Sequence, residues 1–466
     1  MKKRLSVFMF LLMFILVLAG CKSGGNLTSD APDTGSSNDG NGGKDTEEVE
    51  EAEEPEGTQL VFDTSTSGEV TFWTFTADVY EDIVKEFNKV YPDIKVQVVG
   101  MDFGEMHDKL QTTMAAGSGA PDVAQVEQGQ FARYGTEGLL EDLLQAPYDA
   151  GRYQDMVSEY NWERWKSVDG TKLLGMPWDV TPGVFYYRAD LYEQMGLPSD
   201  PDELGDFLQD PDNVLTAAQT FAANGIYMYE WRDSPAIQYG DAIGYFDSDY
   251  NWVRNDDKMA ELLDFVKRGN QLGWAPQMSV LFDEEGVQLV NQGKVASFPV
   301  GNWAARELKN KFPEQEGKWR VTKMPLGLNV GLGGSTFIMP AQGENKEASW
   351  AFVEWMNQAE EAWKVFTEFS IQPAWKHITA MPWYQEHTND YLGGQQDYKL
   401  YDMIDDNIPV RRLTPLDGQA WDIYISQVAE SIDNNIDSKT TLQQIEDTIE
   451  KQLGPEIEKL KAEQAN

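Results

Sequence analysis

Cysteine and histidine are scarce in this sequence. Its 466 residues include one cysteine, Cys21, and three histidines. A single thiol cannot form an internal disulfide, so the fold must be stable without one. His107, His377 and His387 show no i,i+4 pairing of the kind that forms a zinc site on a helix. We therefore expect no disulfide framework, no metal centre and no cofactor.

Positive charge is also scarce. Lys and Arg together number 37 against 78 Asp and Glu, which gives a formal net charge of −41. A negatively charged surface repels phosphate groups, so nucleic acid is not an expected partner. The same charge favours solubility.

Familiar catalytic motifs are missing. No G-x-S-x-G occurs, and "GLGGST" (331–336) lacks the lysine and the spacing of a P-loop. "DSDYNW" (247–252) begins like a calcium loop, but Trp252 stands where that loop needs Gly and Lys258 where it needs Glu. A pair of carboxylates suited to glycoside hydrolysis carries no information in a chain with 78 acids. We expect a protein that is not an enzyme.

Long apolar runs are absent except at the start of the chain. A basic "MKKR" precedes the apolar stretch 5–19, an order that predicts a signal peptide over residues 1–20. The stretch is shorter than the ~20 residues of a transmembrane helix. Leu18-Ala19-Gly20-Cys21 resembles the bacterial lipobox, in which a lipid with acyl chains such as palmitate is attached to the cysteine. The resemblance implies that Cys21 is the lipid-anchored N-terminus of the mature protein. The alternative is an ordinary signal peptide that precedes a cysteine.

The segment after this cysteine is polar. Residues 22–58 are mostly Gly, Ser, Asn, Asp, Thr and Glu with almost no aliphatic side chains, so the segment cannot bury enough apolar area to fold. We expect residues 21–58 to be a lipid-anchored, disordered acidic tether. The remaining 400 or so residues are long enough for two or more domains.

The first part of the folded region alternates strands and helices. "EVTFWTF" (69–75) predicts a strand, and the apolar residues after it recur at helical spacing up to a stop at Tyr91-Pro92. Further strands are predicted at 94–100 and 121–128, with a helix between them that ends at Gly117. This β-α-β-α-β order predicts a parallel sheet covered by helices. Ligands bind such sheets beyond the carboxyl ends of the strands.

A second series of elements begins after residue 181. The last of them is a C-terminal helix that we expect to break at Gly454-Pro455. The patterns predict a strand and helix at 184–198, helices at 213–224 and 256–272, a strand and helix at 294–312, a strand at 318–327, and a strand and helix at 334–358.

The order of several motifs resembles a known family. These motifs are the lipobox, the acidic tether, "VTFWTF", "AAGSGAPDVAQV", "LLGMPWDVTPGVFYYRADLYEQMGLP", "GKVASFPVGNW", "GGSTFIMP" and "NKEASWAFVEWM". Together they are similar to family 1 of the bacterial extracellular solute-binding proteins, the carbohydrate-binding class that includes maltose-binding protein. The resemblance covers essentially all of 65–455.

The resemblance implies a two-lobed α/β fold, like that of periplasmic binding proteins, with hinge crossovers and a ligand cleft between the lobes. Carried over to this chain, lobe one consists of 65–178 plus 326–372, and lobe two of 182–318 plus 377–455. The crossovers then fall near 179–181, 319–325 and 373–376.

The resemblance and the chemistry of sugars together give candidate ligand residues. A sugar presents apolar C–H faces to aromatic rings and hydroxyl groups to planar polar side chains. Residues of these types stand at the predicted strand ends, at the first crossover and at the family's turns. The candidates are Trp73, Thr74, Glu127, Gln128, Trp178, Asp179, Trp231, Arg232, Trp303, Gly334, Ser335 and Trp375.

These expectations lead to one function and two alternatives. The resemblance implies a monomeric receptor, lipid-anchored on the extracellular face of the cell membrane. It would deliver a carbohydrate, with the many tryptophans favouring an oligosaccharide, to the permease subunits of an ABC-type importer. A surface enzyme that degrades polysaccharides and a cell-wall interaction protein are the alternatives. A phosphorylated ligand is disfavoured by the acidic charge but left open by Arg232 and Arg306.

Overall fold

The structure, a computed structural model, describes residues 62–135 and 138–464. The expected signal peptide 1–20, the expected lipidation site Cys21 and the whole of the expected tether, 21–58, lie outside the described residues. The described residues all belong to one unit. No helix within the described ranges has the length and apolar character needed to cross a membrane.

Ten strands within the described residues form two main sheets and one small pair. They are β1 (Gly68–Thr74), β2 (Ile94–Gly100), β3 (Val123–Glu127), β4 (Met176–Pro177), β5 (Asp179–Val180), β6 (Gly183–Arg188), β7 (Ser297–Gly301), β8 (Trp319–Lys323), β9 (Ser335–Ile338) and β10 (Gln372–Pro373).

Eighteen α-helices accompany these strands in the described part of the chain. They are α1 (Ala77–Val90), α2 (Phe103–Ala116), α3 (Gln128–Phe131), α4 (Glu159–Glu163), α5 (Ala189–Gln194), α6 (Pro201–Phe207), α7 (Pro211–Ala223), α8 (Ser234–Ile243), α9 (Asp257–Leu272), α10 (Glu284–Asn291), α11 (Ala304–Lys311), α12 (Lys346–Gln358), α13 (Glu360–Glu368), α14 (Lys376–Thr379), α15 (Pro382–Gln385), α16 (Asp397–Asp405), α17 (Asp417–Asn434) and α18 (Ser438–Gln464).

The first lobe is built on a five-stranded sheet with the order β2-β1-β3-β9-β4. β1 pairs in parallel with both β2 and β3, so the predicted β-α-β-α-β unit is confirmed. β9 returns from much later in the chain and pairs antiparallel with β3 and β4. One apolar core joins residues from 70–180 with residues from 337–378, so two distant segments fold as one lobe.

The second lobe is built on a three-stranded antiparallel sheet with the order β7-β6-β8. This sheet corrects the expected crossover at 319–325, because residues 319–323 form β8 and pair with β6 inside the lobe. Trp319 and Val321 face the core and are fully buried, which explains why this segment is a core strand. The chain leaves the sheet only after Lys323.

Two short strands run side by side where the chain passes between the lobes. β5 pairs antiparallel with β10, with Val180 opposite Gln372 and Asp179 opposite Pro373. β5 lies within the segment expected as the first crossover, 179–181. β10 overlaps the start of the segment expected as the last crossover, 373–376. The two-lobed α/β architecture therefore places a pair of strands between its main sheets.

The C-terminal helix differs from the prediction of a break. α18 runs without interruption from Ser438 to Gln464, with Pro455 inside it. Ile457 and Leu460, two and five residues further along, pack against the core of the second lobe. This apolar contact offsets the backbone hydrogen bond that proline removes.

Candidate functional site

A large cleft lies between the two lobes. Its volume is about 1290 Å³, and residues of both sheets and their loops line it. On the first lobe, Phe75 and Thr76 follow the carboxyl end of β1, while Gln128 follows that of β3. On the second lobe, the lining comes mainly from 230–241, from the loop before α10, and from the β7–α11 turn. The cleft thus lies beyond the strand ends, where parallel sheets bind ligands.

Nine of the twelve sequence-predicted ligand residues line this cleft. They are Glu127, Gln128, Trp178, Asp179, Trp231, Arg232, Trp303, Gly334 and Ser335. The structure therefore brings together residues from five separate stretches of the chain.

Trp73 and Thr74 do not line the cleft. Trp73 is 6% exposed in the core of the first lobe, with the ammonium of Lys109 4.6 Å from its ring centroid. Thr74 is fully buried, and its hydroxyl donates to Gln125 Oε1 at 2.5 Å. The cleft begins one residue further along, at Phe75, so we leave Trp73 and Thr74 out of the proposed ligand set.

Trp375 also lies away from the cleft. It is fully buried in the core of the first lobe, edge-on to Tyr153. Its Nε1 donates to Asn357 Oδ1 at 3.1 Å, which satisfies the buried indole. The residue is therefore part of the packing beside β10, and it too is left out of the proposed ligand set.

Trp178 forms part of the floor of the cleft. Its indole packs against Tyr80, Phe337 and Phe366 and is 2% exposed. Its Nε1 has no hydrogen-bond partner within the described ranges. The hydroxyl of Thr181, also buried on the lining, has none either. Buried polar groups are normally satisfied, so these two unpartnered atoms are exceptions among the residues that line the cleft.

Exposed aromatic side chains concentrate in the cleft. Among the described residues, six large apolar side chains are exposed, and four of them line the cleft: Phe103, Trp231, Phe282 and Trp421. The ring of Phe282, 61% exposed, stacks on Trp303 with 6.1 Å between centroids. Phe103, Phe282 and Trp421 were missed by sequence reasoning, because nothing in their local pattern separates a ligand plate from a core residue.

Three carboxyl groups face the cleft with one backbone hydrogen bond each. Asp179 Oδ1 accepts from the Ser335 amide at 2.6 Å, and Glu127 Oε2 accepts from the Gly129 amide at 2.7 Å. Burial raises the pKa of Asp179 to about 6 and the pKa of Glu127 to about 7.

The third of these groups lies on the second lobe. Glu230 Oε1 accepts from the Val280 amide at 3.3 Å, and burial raises the pKa of Glu230 to about 7. Glu127 and Asp179 each keep a second carboxyl oxygen that can accept from a ligand hydroxyl, whereas Glu230 also interacts with the side chains of Ser279 and Trp231.

A buried arginine holds the turn between the lobes. Arg164 is 1% exposed, and its guanidinium donates to the carbonyl oxygens of Asp179 at 2.9 Å and Gly333 at 3.3 Å. Gly334 has a φ of +96°, and a Cβ there would lie 2.7 Å from the Thr181 hydroxyl. This turn therefore needs glycine. Arg164 was missed from sequence because its partners lie far away along the chain.

The structure gives no support to a metal site in the described residues. No group of three or more His, Cys, Asp or Glu is placed there to hold an ion. In the loop that starts like a calcium site, Asp247 Oδ1 accepts from the backbone amides of Asp249 and Asn251. That carboxylate stabilises a tight turn.

Two α/β lobes around an aromatic and carboxyl-lined cleft define a ligand-binding protein of the hinged class. The model of the bacterial extracellular solute-binding proteins matches residues 74–363, and the chain belongs to this family.

Two curated relatives are named as arabinooligosaccharide-binding proteins. The arabinooligosaccharide-binding protein of Bacillus subtilis is 28% identical over 311 residues, covering 63% of this chain and 70% of the relative. The arabinooligosaccharide-binding protein of Halalkalibacterium halodurans is 24% identical over 381 residues, covering 76% and 82%.

Solved structures share the fold. The galacto-N-biose/lacto-N-biose I-binding protein of an ABC transporter from Bifidobacterium longum, solved with lacto-N-biose, aligns with a TM-score of 0.65 and 21% identity. The alignment covers 84% of this chain and 98% of that one. This likeness establishes the two-lobed architecture.

Proposed function

We propose that this protein is the extracellular receptor of an ABC-type sugar importer and that its ligand is an oligosaccharide. The observation that carries the proposal is the cleft, which combines exposed aromatic plates with carboxyl and amide groups. Aromatic faces match the C–H faces of sugar rings, and the polar groups match the hydroxyls. The names of the relatives, which include two arabinooligosaccharide-binding proteins, support the same class of ligand.

The size of the cleft favours more than one sugar unit. Its volume of about 1290 Å³ exceeds the roughly 300–1,000 Å³ of pockets for single drug-sized ligands. Phe103 lies on the first lobe, whereas Trp231, Phe282 and Trp421 lie on the second, so the plates are distributed over both walls. Each further ring of a ligand can then pack on a further plate.

The mechanism is a shift in the population of closed molecules. A sugar that contacts both lobes at once stabilises the closed arrangement relative to the open one. A permease that recognises the closed receptor then receives the loaded form. β5 and β10, which pair between the lobes, are the segment about which this closure is expected to turn.

The location of the receptor follows from its N-terminus. Cleavage after Gly20 and lipid attachment at Cys21 would anchor a monomer on the outer face of the cell membrane, with 21–58 as a tether. Two or more acyl chains give stable anchoring where one is marginal. Labelling with a radioactive or clickable palmitate, with Cys21→Ser as the control, tests this part of the proposal. Label retained by the variant would contradict it.

A thermal-shift screen tests the receptor function. The chain from Gly57 onward is heated with arabino-, galacto-, malto- and cello-oligosaccharides of two to five units. A ligand at a hundredfold excess over its Kd stabilises the native state by about 2.7 kcal/mol, which gives a shift of several degrees. We expect one oligosaccharide class to produce that shift without releasing new reducing ends. No shift with any of them, or release of reducing ends from a polymer, would contradict the proposal.

A further inference from the structure

One turn of the second lobe contacts both short strands that lie between the main sheets. The 301–303 turn follows β7 and precedes α11. The backbone amide of Asn302 donates to the carbonyl oxygen of Pro182 at 3.2 Å. The side-chain amide of Asn302 donates to the carbonyl oxygen of Val180 at 3.2 Å and to Gln372 Oε1. Val180 lies in β5 and Gln372 in β10, so Asn302 joins the end of β7 to both strands.

The same turn also holds the stretch of chain that leads from β8 to β9. Trp303 Nε1 donates to the carbonyl oxygen of Leu332 at 3.0 Å, and the Leu332 amide donates to the carbonyl oxygen of Thr181 at 2.8 Å. A Cβ on Gly301 would lie 2.4 Å from the Leu332 carbonyl oxygen and 2.3 Å from Trp303 Nε1. Position 301 therefore requires glycine, and packing this close leaves little room for independent movement of the turn and the β8–β9 stretch.

Asn302 is placed to act on these segments and does not touch the ligand cleft. It is 2% exposed and lies outside the cleft lining, as does Gln372. The Tyr186 hydroxyl donates to the carbonyl oxygen of Asn302 at 2.8 Å and lies 3.0 Å from the Tyr401 hydroxyl, in the core of the second lobe. The turn is thus anchored to the second lobe, and its side-chain amide extends to β5 and β10.

Trp303 connects this arrangement to the cleft. It follows Asn302 in the chain, lines the cleft and stacks on Phe282 with 6.1 Å between ring centroids. A sugar that packs on the Trp303 ring therefore contacts the turn that holds the two strands. A ligand shifts an equilibrium only through interactions that differ between its two states, and a contact on this turn is one that a change at the hinge can alter.

We propose that Asn302 is a positioning residue of the hinge, which holds β5 and β10 against the second lobe and so couples the cleft residue Trp303 to lobe closure. The proposal rests on the proposed function and deepens it, because it names the residue that connects the cleft with the hinge. Without the side-chain amide, β5 and β10 move relative to the 301–303 turn and the lobes sample a wider range of positions. Ligand binding then has to restrict more motion, which weakens it.

The test measures the distance between the lobes directly. Cys21 is the only cysteine, so the full chain with Cys21→Ser accepts two spin labels at chosen positions. Glu105→Cys on the first lobe and Lys309→Cys on the second are exposed sites for the labels. Pulsed electron paramagnetic resonance gives the distribution of distances without ligand. We expect Asn302→Ala to widen that distribution.

The same variant should bind its sugar more weakly. The probe is the oligosaccharide that raises the melting temperature in the thermal-shift screen, and calorimetry measures its affinity. We expect Asn302→Ala to lower the affinity by about tenfold, comparable to the loss of one net hydrogen bond. Asn302 does not line the cleft, so this loss would come from the position of the lobes and of Trp303.

Ser297→Ala is the matched control for general destabilisation. Ser297 is fully buried at the start of β7, the strand that the 301–303 turn follows. Its hydroxyl donates to the carbonyl oxygen of Met228 at 2.8 Å and lies 2.9 Å from the Tyr192 hydroxyl. Ser297→Ala therefore also removes two buried hydrogen bonds from the second lobe. It should lower the melting temperature but leave the inter-lobe distances and the affinity unchanged.

A second substitution tests the route from Asn302 to the hinge. Gln372→Ala removes the partner of Asn302 on β10, so it should widen the distances in the same way, and it provides the test on its own if Asn302→Ala does not fold. If the two residues act through their contact, the double variant should lose no more affinity than the weaker-binding single variant. Additive losses would contradict this route. Circular dichroism establishes that each variant is folded.

The outcomes separate this proposal from the proposed function. If no oligosaccharide binds the wild type, the receptor function fails, and the ligand-free distances still decide whether Asn302 positions the lobes. If Asn302→Ala and Gln372→Ala leave distances and affinity as they are in a wild type that binds sugar, the role of Asn302 alone is overturned. The same holds if Ser297→Ala changes both quantities as much.

Discussion

The indole of Trp231 shows what a single side chain contributes to the cleft. It is 43% exposed, although Trp is usually largely buried, and it lies on the wall formed by the second lobe. We expect Trp231→Ala to lower the affinity for the bound oligosaccharide by about tenfold, because a stacked ring contributes roughly 0.5–1.5 kcal/mol beyond the area that it buries. Isothermal titration measures the affinity, and chemical denaturation should show an unchanged free energy of unfolding.

Trp375 provides the matched contrast at the same scale. Because it is fully buried in the core of the first lobe, Trp375→Ala should cost about 3–5 kcal/mol of stability. The folded fraction of that variant should keep the affinity of the wild type. The interpretation of both tryptophans would be wrong if Trp231→Ala destabilised the protein as much as Trp375→Ala does.

The same contrast marks the limit of prediction from sequence at single residues. The end of a parallel strand predicted Glu127 and Gln128 as lining residues, because parallel strands deliver their carboxyl ends to one edge of a sheet, whereas Asp179 was predicted from the family resemblance at the first crossover. Trp73 and Trp375 are tryptophans in similar sequence surroundings to those of the predicted ligand residues, yet they face the core. Which side of a strand end faces solvent depends on the packing of distant segments, and local periodicity does not contain that information.

At the scale of elements, periodic patterns predicted most helices and strands but failed where tertiary contacts override local propensity. The periodic pattern predicted a strand at 318–327, and 319–323 form one; what pairing with β6 overturned is the crossover that the family resemblance implied at 319–325. Gly454-Pro455 was expected to end a helix, but Ile457 and Leu460 pack against the second lobe and hold α18 together. In both places the contact that determines the structure joins residues that are far apart in the sequence, so a pattern of neighbouring residues does not contain it.

Helix α18 gives a prediction at this scale. Gly454 lies inside the helix, and a Cβ there would meet no atom within 4 Å outside its chain neighbours and the helix's own backbone. Alanine adds up to about 1 kcal/mol of helix propensity, but the Cδ of Pro455 crowds the Cβ of a helical residue that precedes it. We therefore expect Gly454→Ala to raise the free energy of unfolding by less than about 1 kcal/mol. Urea denaturation measures it. If the helix were broken at this position, the substitution would have no stabilising effect or would destabilise the protein.

At the scale of the whole molecule, buried carboxyl groups control stability against pH. Burial raises the pKa of seven of them to about 6 or 7: Glu127, Asp179, Glu230, Asp397, Asp402, Asp405 and Asp417. In the unfolded chain their pKa values return to about 4. The native state therefore binds more protons between roughly pH 4 and pH 7, so stability falls as the pH rises through this window.

We expect the free energy of unfolding to be larger at pH 5.5 than at pH 8. Burial lowers the pKa values of His107, His377 and His387, which opposes the trend on acidification, but these three groups are outnumbered. Asp402→Asn should reduce the slope, because it removes a group whose pKa is raised to about 7. Guanidinium titrations at the two pH values measure the difference, and a more stable protein at pH 8 would contradict the assignment.

An ion pair on the rim of the cleft joins the two lobes. Asp78 stands in the first turn of α1 on the first lobe, where a helix N-terminus favours an acid, and Arg306 lies on α11 of the second lobe. The guanidinium of Arg306 also lies 5.4 Å from the ring centroid of Phe369, on the first lobe. Arg306 therefore contacts the opposite lobe through both charge and an aromatic face.

Breaking this contact should favour the open form and so weaken binding. We expect Asp78→Arg or Arg306→Asp alone to lower ligand affinity by about threefold, since exposed ion pairs contribute up to about 1 kcal/mol. The double charge-swap variant, with Asp78→Arg and Arg306→Asp together, should recover most of the lost affinity, because the two opposite charges attract each other again with their positions exchanged. Small-angle scattering should show wider lobes in each single variant. The difference from the wild type should shrink in 1 M salt, where the screening length is about 3 Å.

The analogous pair within one lobe separates closure from general electrostatics. Lys95 and Glu69 lie 3.2 Å apart on the first lobe and are both exposed. Exchanging these two charges leaves the contacts between the lobes untouched, so scattering and affinity should match those of the wild type. If that exchange altered affinity as much as the single substitutions at Asp78 and Arg306, the loss would reflect net surface charge. If the double charge-swap variant instead failed to recover, the pair would have no role in closure. A loss confined to the single variants would establish that Arg306, on the rim of the cleft, couples the two lobes. Its effect on affinity would then come from the position of the lobes.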